Sequence, residues 1–163
     1  MVILLGLLLA AAVYDLREGR IPNRLILAGV FLGMLRIAVC RMAFPPYLIG
    51  ILIPILFLFP FFSIGTLGAG DIKLISMIGF FLSPKEVAFS MLLAFAMAAA
   101  AGAAGYLRKG ILIPGLYRLW TYMASCLAEG IILPYPEENG RNRIHLAPFI
   151  FIGTAIIVGG DIG

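Results

Sequence analysis

Two aspartates stand beside strongly apolar stretches of the sequence. Asp15 follows the apolar residues 1–14, and Asp71 ends the string GAGD just before the apolar residues 72–82. An aspartate at the centre of a membrane-spanning helix costs about 2.5 to 3.5 kcal/mol, so two of them at matching depth suggest a chemical purpose. Two carboxylates that share one proton can hydrolyse a peptide, because the ionised one activates water while the protonated one polarises the carbonyl. The pair therefore predicts aspartic-protease chemistry.

Each aspartate taken alone also has a structural interpretation. Asp71 could cap the helix that follows it, and Asp15 could be an interfacial residue paired with Arg17 or Arg20. The helix N-terminus is expected to favour the ionised form of Asp71, and desolvation the protonated form of its partner. Either carboxylate could hold the shared proton, because the protons of a close pair belong to the pair.

The composition indicates a membrane protein. Apolar residues make up 63% of the 163 residues and charged residues 12%, and the mean hydropathy is +1.10. Soluble domains average about 45 to 50% apolar and 25% charged residues. We therefore expect an all-α, polytopic fold, with residues 1–163 forming one integral-membrane domain in a lipid bilayer. The net charge of +4 fits membrane topology better than a nucleic-acid partner, which we do not expect.

Six apolar runs predict about six transmembrane helices. They cover residues 1–14, 24–40, 46–64, 72–82, 87–107 and 146–160. The first and fourth runs are short for a span of roughly 20 residues, and they are the two that border the aspartates. Either each carboxylate is carried below the membrane surface or the bilayer thins there.

Basic residues set the expected orientation. With the N-terminus outside, nine lysines and arginines fall in inner segments and three in outer segments, out of 12 in the chain. The inner set is Arg17, Arg20, Arg24, Lys73, Arg108, Lys109, Arg118, Arg141 and Arg143, and the outer set is Arg36, Arg41 and Lys85. Because positive charges accumulate on the cytoplasmic side, both aspartates should face the cytoplasm of a cell that carries the protein in its cytoplasmic membrane.

The segment 111–133 is mixed in character. It combines charged residues with Tyr117, Trp120 and Tyr122, a composition suited to an interfacial helix before the last span. A seventh span is the alternative, although it would invert the last segment. Nearer the N-terminus, Pro22 should interrupt the helix and Asn23 should cap the next one.

The sequence offers little for metal or cofactor chemistry. Cys40 and Cys126 form no CxxC pair and are interpreted as packing residues, and no HExxH string is present. The single histidine, His145, is interpreted as an interfacial polar residue. We therefore expect no metal site and no cofactor.

Two strings carry a resemblance to a known family. They are residues 14–23 (YDLREGRIPN) and residues 68–74 (GAGDIKL). They resemble the paired motifs of the type IV prepilin peptidases, which are GxGD-type intramembrane aspartyl proteases. Residues 147–149 (APF) with Gly153 are similar to the family's segment that opens the last span. The resemblance implies that Asp15 and Asp71 are the catalytic pair.

The resemblance also implies a substrate class. Such peptidases remove a short basic leader from pilin-like precursors at the cytoplasmic face, just before an apolar helix. Lys73 or Arg17 would attract an acidic substrate residue, and Gly68 and Gly70 would let the substrate backbone approach, although each also has a structural interpretation. Longer members carry a CxxC-containing insertion and methylate the new N-terminus. This sequence lacks a CxxC pair and is similar to the short branch that serves Flp-type pili or preflagellins, so we expect cleavage without methylation.

Two other classes of function remain open. A small transporter could use Asp15 and Asp71 as ion or proton ligands, although carriers place such acids near the midplane within inverted repeats. A catalytically silent component of pilus assembly is the third interpretation, against which the presence of both carboxylates argues.

Overall fold

Helices make up all the regular structure in the described part of the chain. The computed structural model describes residues 1–63, 67–108, 121 and 145–160. Its helices are α1 (Val2–Glu18), α2 (Asn23–Val39), α3 (Phe44–Ser63), α4 (Ala69–Ile78), α5 (Pro84–Arg108) and α6 (Ala147–Gly160). Each of the six apolar runs has formed one helix, so the all-α prediction is confirmed. The expected interfacial helix over 111–133 lies outside the described residues, apart from Thr121.

Two of these helices are long and apolar enough to cross a membrane. They cover Phe44–Ser63 and Pro84–Gly105, while Ala147–Gly160 is apolar but shorter. Large apolar side chains on the outer surface of α3 are exposed, including Leu56 and Phe57. By length and composition the described residues thus supply two of the six predicted spans.

The turn between α1 and α2 depends on a glycine and a proline. Gly19 ends α1 with a φ of 62°, a left-handed conformation, and its N–H donates to the Asp15 carbonyl at 2.9 Å. Pro22 then takes an extended conformation and occupies the N-cap position of α2. The expectation that Asn23 caps α2 is therefore wrong: Asn23 is the first helical residue, and no side-chain cap bond forms.

The short helix α4 lies in the middle of the bundle. It contacts α2, α3, α5 and α6, and five consecutive residues, 74–78, are buried. Burial continues through Phe80, Phe81 and Leu82 in the turn that follows. Because buried residues surround the helix axis, α4 presents its second half to protein on every side.

Close backbone contact holds α4 against α3. A Cβ atom added to Gly79 would lie 2.6 Å from the carbonyl carbon of Gly50, so the two backbones touch where α4 ends. Small residues at such crossings allow helices to pack tightly in a membrane. Arg36 of α2 adds a hydrogen bond to the turn after α4, since its Nη1 donates to the Phe81 carbonyl at 2.9 Å.

The helices α1 and α6 pack along one buried stripe. On α1 the stripe runs through Leu4, Leu8 and Ala11 to Asp15, at the helical spacing of three and four residues. On α6 it includes Ala147 and Ile150. The apolar packing of these two helices therefore leads directly to a carboxylate.

Candidate active site

Asp15 sits in the last turn of α1 and is buried, with 8% of its surface exposed. Both carboxylate oxygens have partners from the start of α6. The Ala147 N–H donates to Oδ2 at 3.3 Å, and the His145 Nδ1 lies 3.3 Å from Oδ1. Ala147 is the first residue of α6, so its N–H has no partner within that helix. A carboxylate at this end also complements the helix dipole.

The contacts of Asp15 test its interpretation as an interfacial residue paired with an arginine. Within the described residues its ion partner is His145, not Arg17 or Arg20 as the interfacial interpretation held. Arg17 is exposed in the last turn of α1, two residues beyond the carboxylate. The structure therefore does not bring Arg17 to the carboxylate pair.

Asp71 occupies the first turn of α4, just ahead of the apolar run 72–82. Gly68, not Asp71, is the N-cap residue, and the Asp71 N–H donates to the Gly68 carbonyl at 3.1 Å. The cap interpretation of Asp71 is therefore wrong, because the helix begins three residues earlier than it requires.

The surroundings of Asp71 raise the pKa of its carboxyl group from 3.8 to about 6. Burial is the largest cause, because it disfavours the charged form, and the negative charge of Asp15 is the second. A backbone hydrogen bond at Gly68 and the charge of His145 lower the pKa in part. The expectation that the helix N-terminus would favour ionised Asp71 is thus outweighed by burial. Asp15, Asp71 and His145 form one electrostatic cluster.

The two sequence motifs, residues 14–23 and 68–74, also contact each other away from the carboxylates. A Cβ atom on Gly70 would lie 3.6 Å from the Cβ of Ile21, so α4 begins against the turn that precedes α2. Beside it, Lys73 donates from Nζ to the Asn23 Oδ1 at 3.3 Å. This contact occupies the Asn23 side chain that the sequence had suggested as a cap.

Gly68 keeps space open beside the Asp71 carboxylate. A Cβ atom there would lie 3.2 Å from Oδ2, closer than most Cβ contacts. An open groove lies next to the α1–α2 turn, lined by Tyr14, Pro22, Asn23, Arg24 and Leu25. Tyr14 adjoins Asp15 in the chain, so the groove and the carboxylate cluster share the end of α1.

Sequence reasoning missed His145 as a member of the cluster. A signal was nevertheless present, since the predicted topology puts the end of the first span and the start of the last on one side. His145 stands two residues before α6 and therefore belongs on the side of Asp15. Across the described ranges, no group of three or more His, Cys, Asp or Glu side chains has metal-site geometry.

Comparisons with known proteins give two matches. Residues 2–103 match the model of the type IV leader peptidase family. The chain is also 34% identical over 141 residues to the prepilin leader peptidase/N-methyltransferase of Bacillus subtilis (strain 168). That alignment covers 82% of this chain and 54% of the relative, so the chain spans about half the length of the curated protein it matches. No solved structure matches the chain.

Proposed function

Because the chain belongs to the type IV leader peptidase family, we propose that it is an aspartic endopeptidase in which Asp15 and Asp71 form the catalytic pair. The proposed substrates are pilin-like precursors with a short basic leader. One observation carries the proposal: two carboxylates 56 positions apart in the sequence (71 − 15) come close enough for the charge of Asp15 to raise the pKa of Asp71.

The environments of the two carboxylates support different roles. The raised pKa of Asp71, about 6, favours this residue as the general acid, which carries the proton below that pH. Asp15, which contacts the Ala147 N–H through one oxygen and the His145 ring through the other, is proposed as the general base. Different surroundings for two neighbouring carboxylates are how one site supplies an acid and a base together.

In the proposed reaction Asp15 accepts a proton from a water molecule whose oxygen attacks the scissile carbonyl carbon. Asp71 donates its proton to the carbonyl oxygen, and a neutral tetrahedral diol forms. Its collapse breaks the C–N bond: the leaving nitrogen takes a proton from Asp15, and a diol hydroxyl returns one to Asp71. The product is a carboxylic acid and an amine, and both side chains regain their starting states.

Four further residues are proposed to bind substrate. Gly68 and Gly70 flank Asp71 without side chains of their own, which favours approach of a substrate backbone. Lys73 is exposed beside Asn23, where its charge would attract an acidic residue of the precursor. Arg17 is proposed for the same purpose, although it lies on the exposed surface of α1.

The proposed setting is the cytoplasmic membrane, with six spans, the N-terminus outside and the carboxylate pair facing the cytoplasm. The helices α1 and α2 have 17 residues each, or about 25 Å, near the roughly 30 Å of a hydrocarbon core. By contrast α4 has ten residues, about 15 Å, and is short for a span. The 9:3 distribution of basic residues supports the orientation.

Cleavage is proposed to occur without methylation of the product. The sequence has two cysteines, Cys40 and Cys126, and no CxxC pair. The methyltransferase half of the name carried by the Bacillus relative therefore does not transfer to this chain in the proposal. Mass spectrometry of the cleaved pilin tests this directly, since a methylated N-terminus would contradict it.

The test is a cleavage assay in liposomes with a Flp-type prepilin. Asp15→Asn and Asp71→Asn should each lower kcat by about 10² to 10⁴-fold, the range for loss of a general acid or base. Glu18→Gln is the matched control, because Glu18 is an exposed acid at the end of α1. Cleavage that survives either aspartate substitution would refute the pair. A wild type inactive on every pilin-like precursor would favour the transporter or the silent component.

A further inference from the structure

We propose that His145 is a positioning residue for Asp15: together with the Ala147 N–H it holds the carboxylate from the α6 side and fixes its orientation within the pair. This inference rests on the proposed function, since it assigns His145 a part in the same reaction. It adds a third side chain to a site that the two motifs alone do not define.

Two groups contact the Asp15 carboxylate, one at each oxygen. Oδ2 accepts from the Ala147 N–H and Oδ1 faces the His145 Nδ1, each at 3.3 Å. Both partners come from one segment at the start of α6, and α6 packs along α1. Rotation of the Asp15 side chain would break both contacts, so the carboxylate plane is fixed relative to α6. A general base needs such a fixed direction toward its water.

Acidic groups face the His145 ring from two helices. Asp15 from α1 is in contact with the ring, and Asp71 from α4 interacts with it electrostatically. The ring is thus placed to act on the carboxylate that it contacts, within reach of the other member of the proposed pair.

Solvent can reach His145 but hardly Asp15. The histidine side chain is 36% exposed, whereas that of Asp15 is 11% exposed. The ring therefore borders solvent while the carboxylate stays shielded. A residue that merely started α6 would need neither the contact with Asp15 nor this exposure.

Steady-state kinetics separate positioning from structural support. His145→Gln keeps a side-chain donor in place of the ring, and His145→Leu keeps none. We expect His145→Gln to lower kcat about tenfold with KM within twofold, because a misdirected base slows the reaction without weakening substrate binding. His145→Leu should lose more activity than His145→Gln. Equal losses of kcat in the two variants that follow their melting temperatures would overturn the proposal, as would an unaltered His145→Gln variant.

A second measurement does not depend on activity. The chain has one histidine, so selective labelling of histidine with ¹⁵N gives the ring signals of His145 alone. Asp15→Asn should shift the Nδ1 signal clearly, and Glu18→Gln should leave it in place. A ring signal that ignores Asp15→Asn would overturn the pairing. If the pairing is present and the wild type cleaves no precursor, the proposed function fails while the contact stands, so the two failures are distinguishable.

Discussion

Asp71→Asn should stabilise the protein at neutral pH and lose that advantage in acid. The folded protein raises the pKa of Asp71 from 3.8 to about 6, so it disfavours the charged carboxylate that the unfolded chain accepts readily. Folding stability therefore falls as the pH rises from about 4 to about 6, and the full penalty persists above pH 6. Asparagine carries no charge and pays no such penalty.

The size of the effect follows from the pKa difference. About two units correspond to at most about 3 kcal/mol at 1.36 kcal/mol per unit. Partial solvent access of Asp71 reduces this to roughly 1 to 2 kcal/mol. For a chain of this length each kcal/mol moves the melting temperature by about 2 to 4 °C. We therefore expect Asp71→Asn to melt about 2 to 8 °C above the wild type at pH 7.5.

The assay is thermal unfolding in one detergent at pH 4, 5, 6 and 7.5. The difference between Asp71→Asn and the wild type should shrink steadily toward pH 4. Glu18→Gln serves as the control, because Glu18 is exposed and its substitution should leave the difference from the wild type small at every pH. An Asp71→Asn variant that melts with the wild type at pH 7.5, or gains more at pH 4, would refute the reasoning.

Two further predictions concern packing and substrate binding. Gly79→Ala should lower the unfolding free energy by about 1 to 3 kcal/mol, because the added methyl group meets the Gly50 backbone at 2.6 Å. Gly105→Ala, where nothing lies within 4 Å, is the control and should be neutral or stabilising in the same melting experiment. Lys73→Met should raise KM for an acidic precursor about threefold to tenfold with kcat within twofold, and the effect should weaken in high salt. An unchanged KM, or an equal rise for a precursor whose acidic residue is replaced by glutamine, would exclude Lys73 as the acid-binding residue.

Local patterns predicted the helices well. The apolar run 46–64 became α3 at Phe44–Ser63, and the run 24–40 became α2 at Asn23–Val39. A helix in an apolar segment is determined by neighbouring residues, so hydropathy alone locates it. The predicted topology put Asp15 and Asp71 on one side of a membrane, but alternating spans alone determine no distance between them.

Properties that depend on packing were not predictable in this way. The N-terminal position of Asp71 argued for an ionised carboxylate, but burial by the surrounding helices reverses that preference. Similarly, Asn23 has the residue type of a cap, yet α2 already begins at Asn23 and Lys73 of α4 engages its side chain. The contact of His145 with Asp15 joins residues 130 positions apart (145 − 15), and no spacing rule connects them.

The order of translation determines when the contacts of Asp15 can form. Asp15 and Asp71 are translated early, whereas His145 precedes and Ala147 begins the last of the described helices. A nascent chain that ends after α5 thus carries both acids without the donors that fix one of them. Synthesis of α6 completes that arrangement, so translation itself delays the assembly of the proposed site.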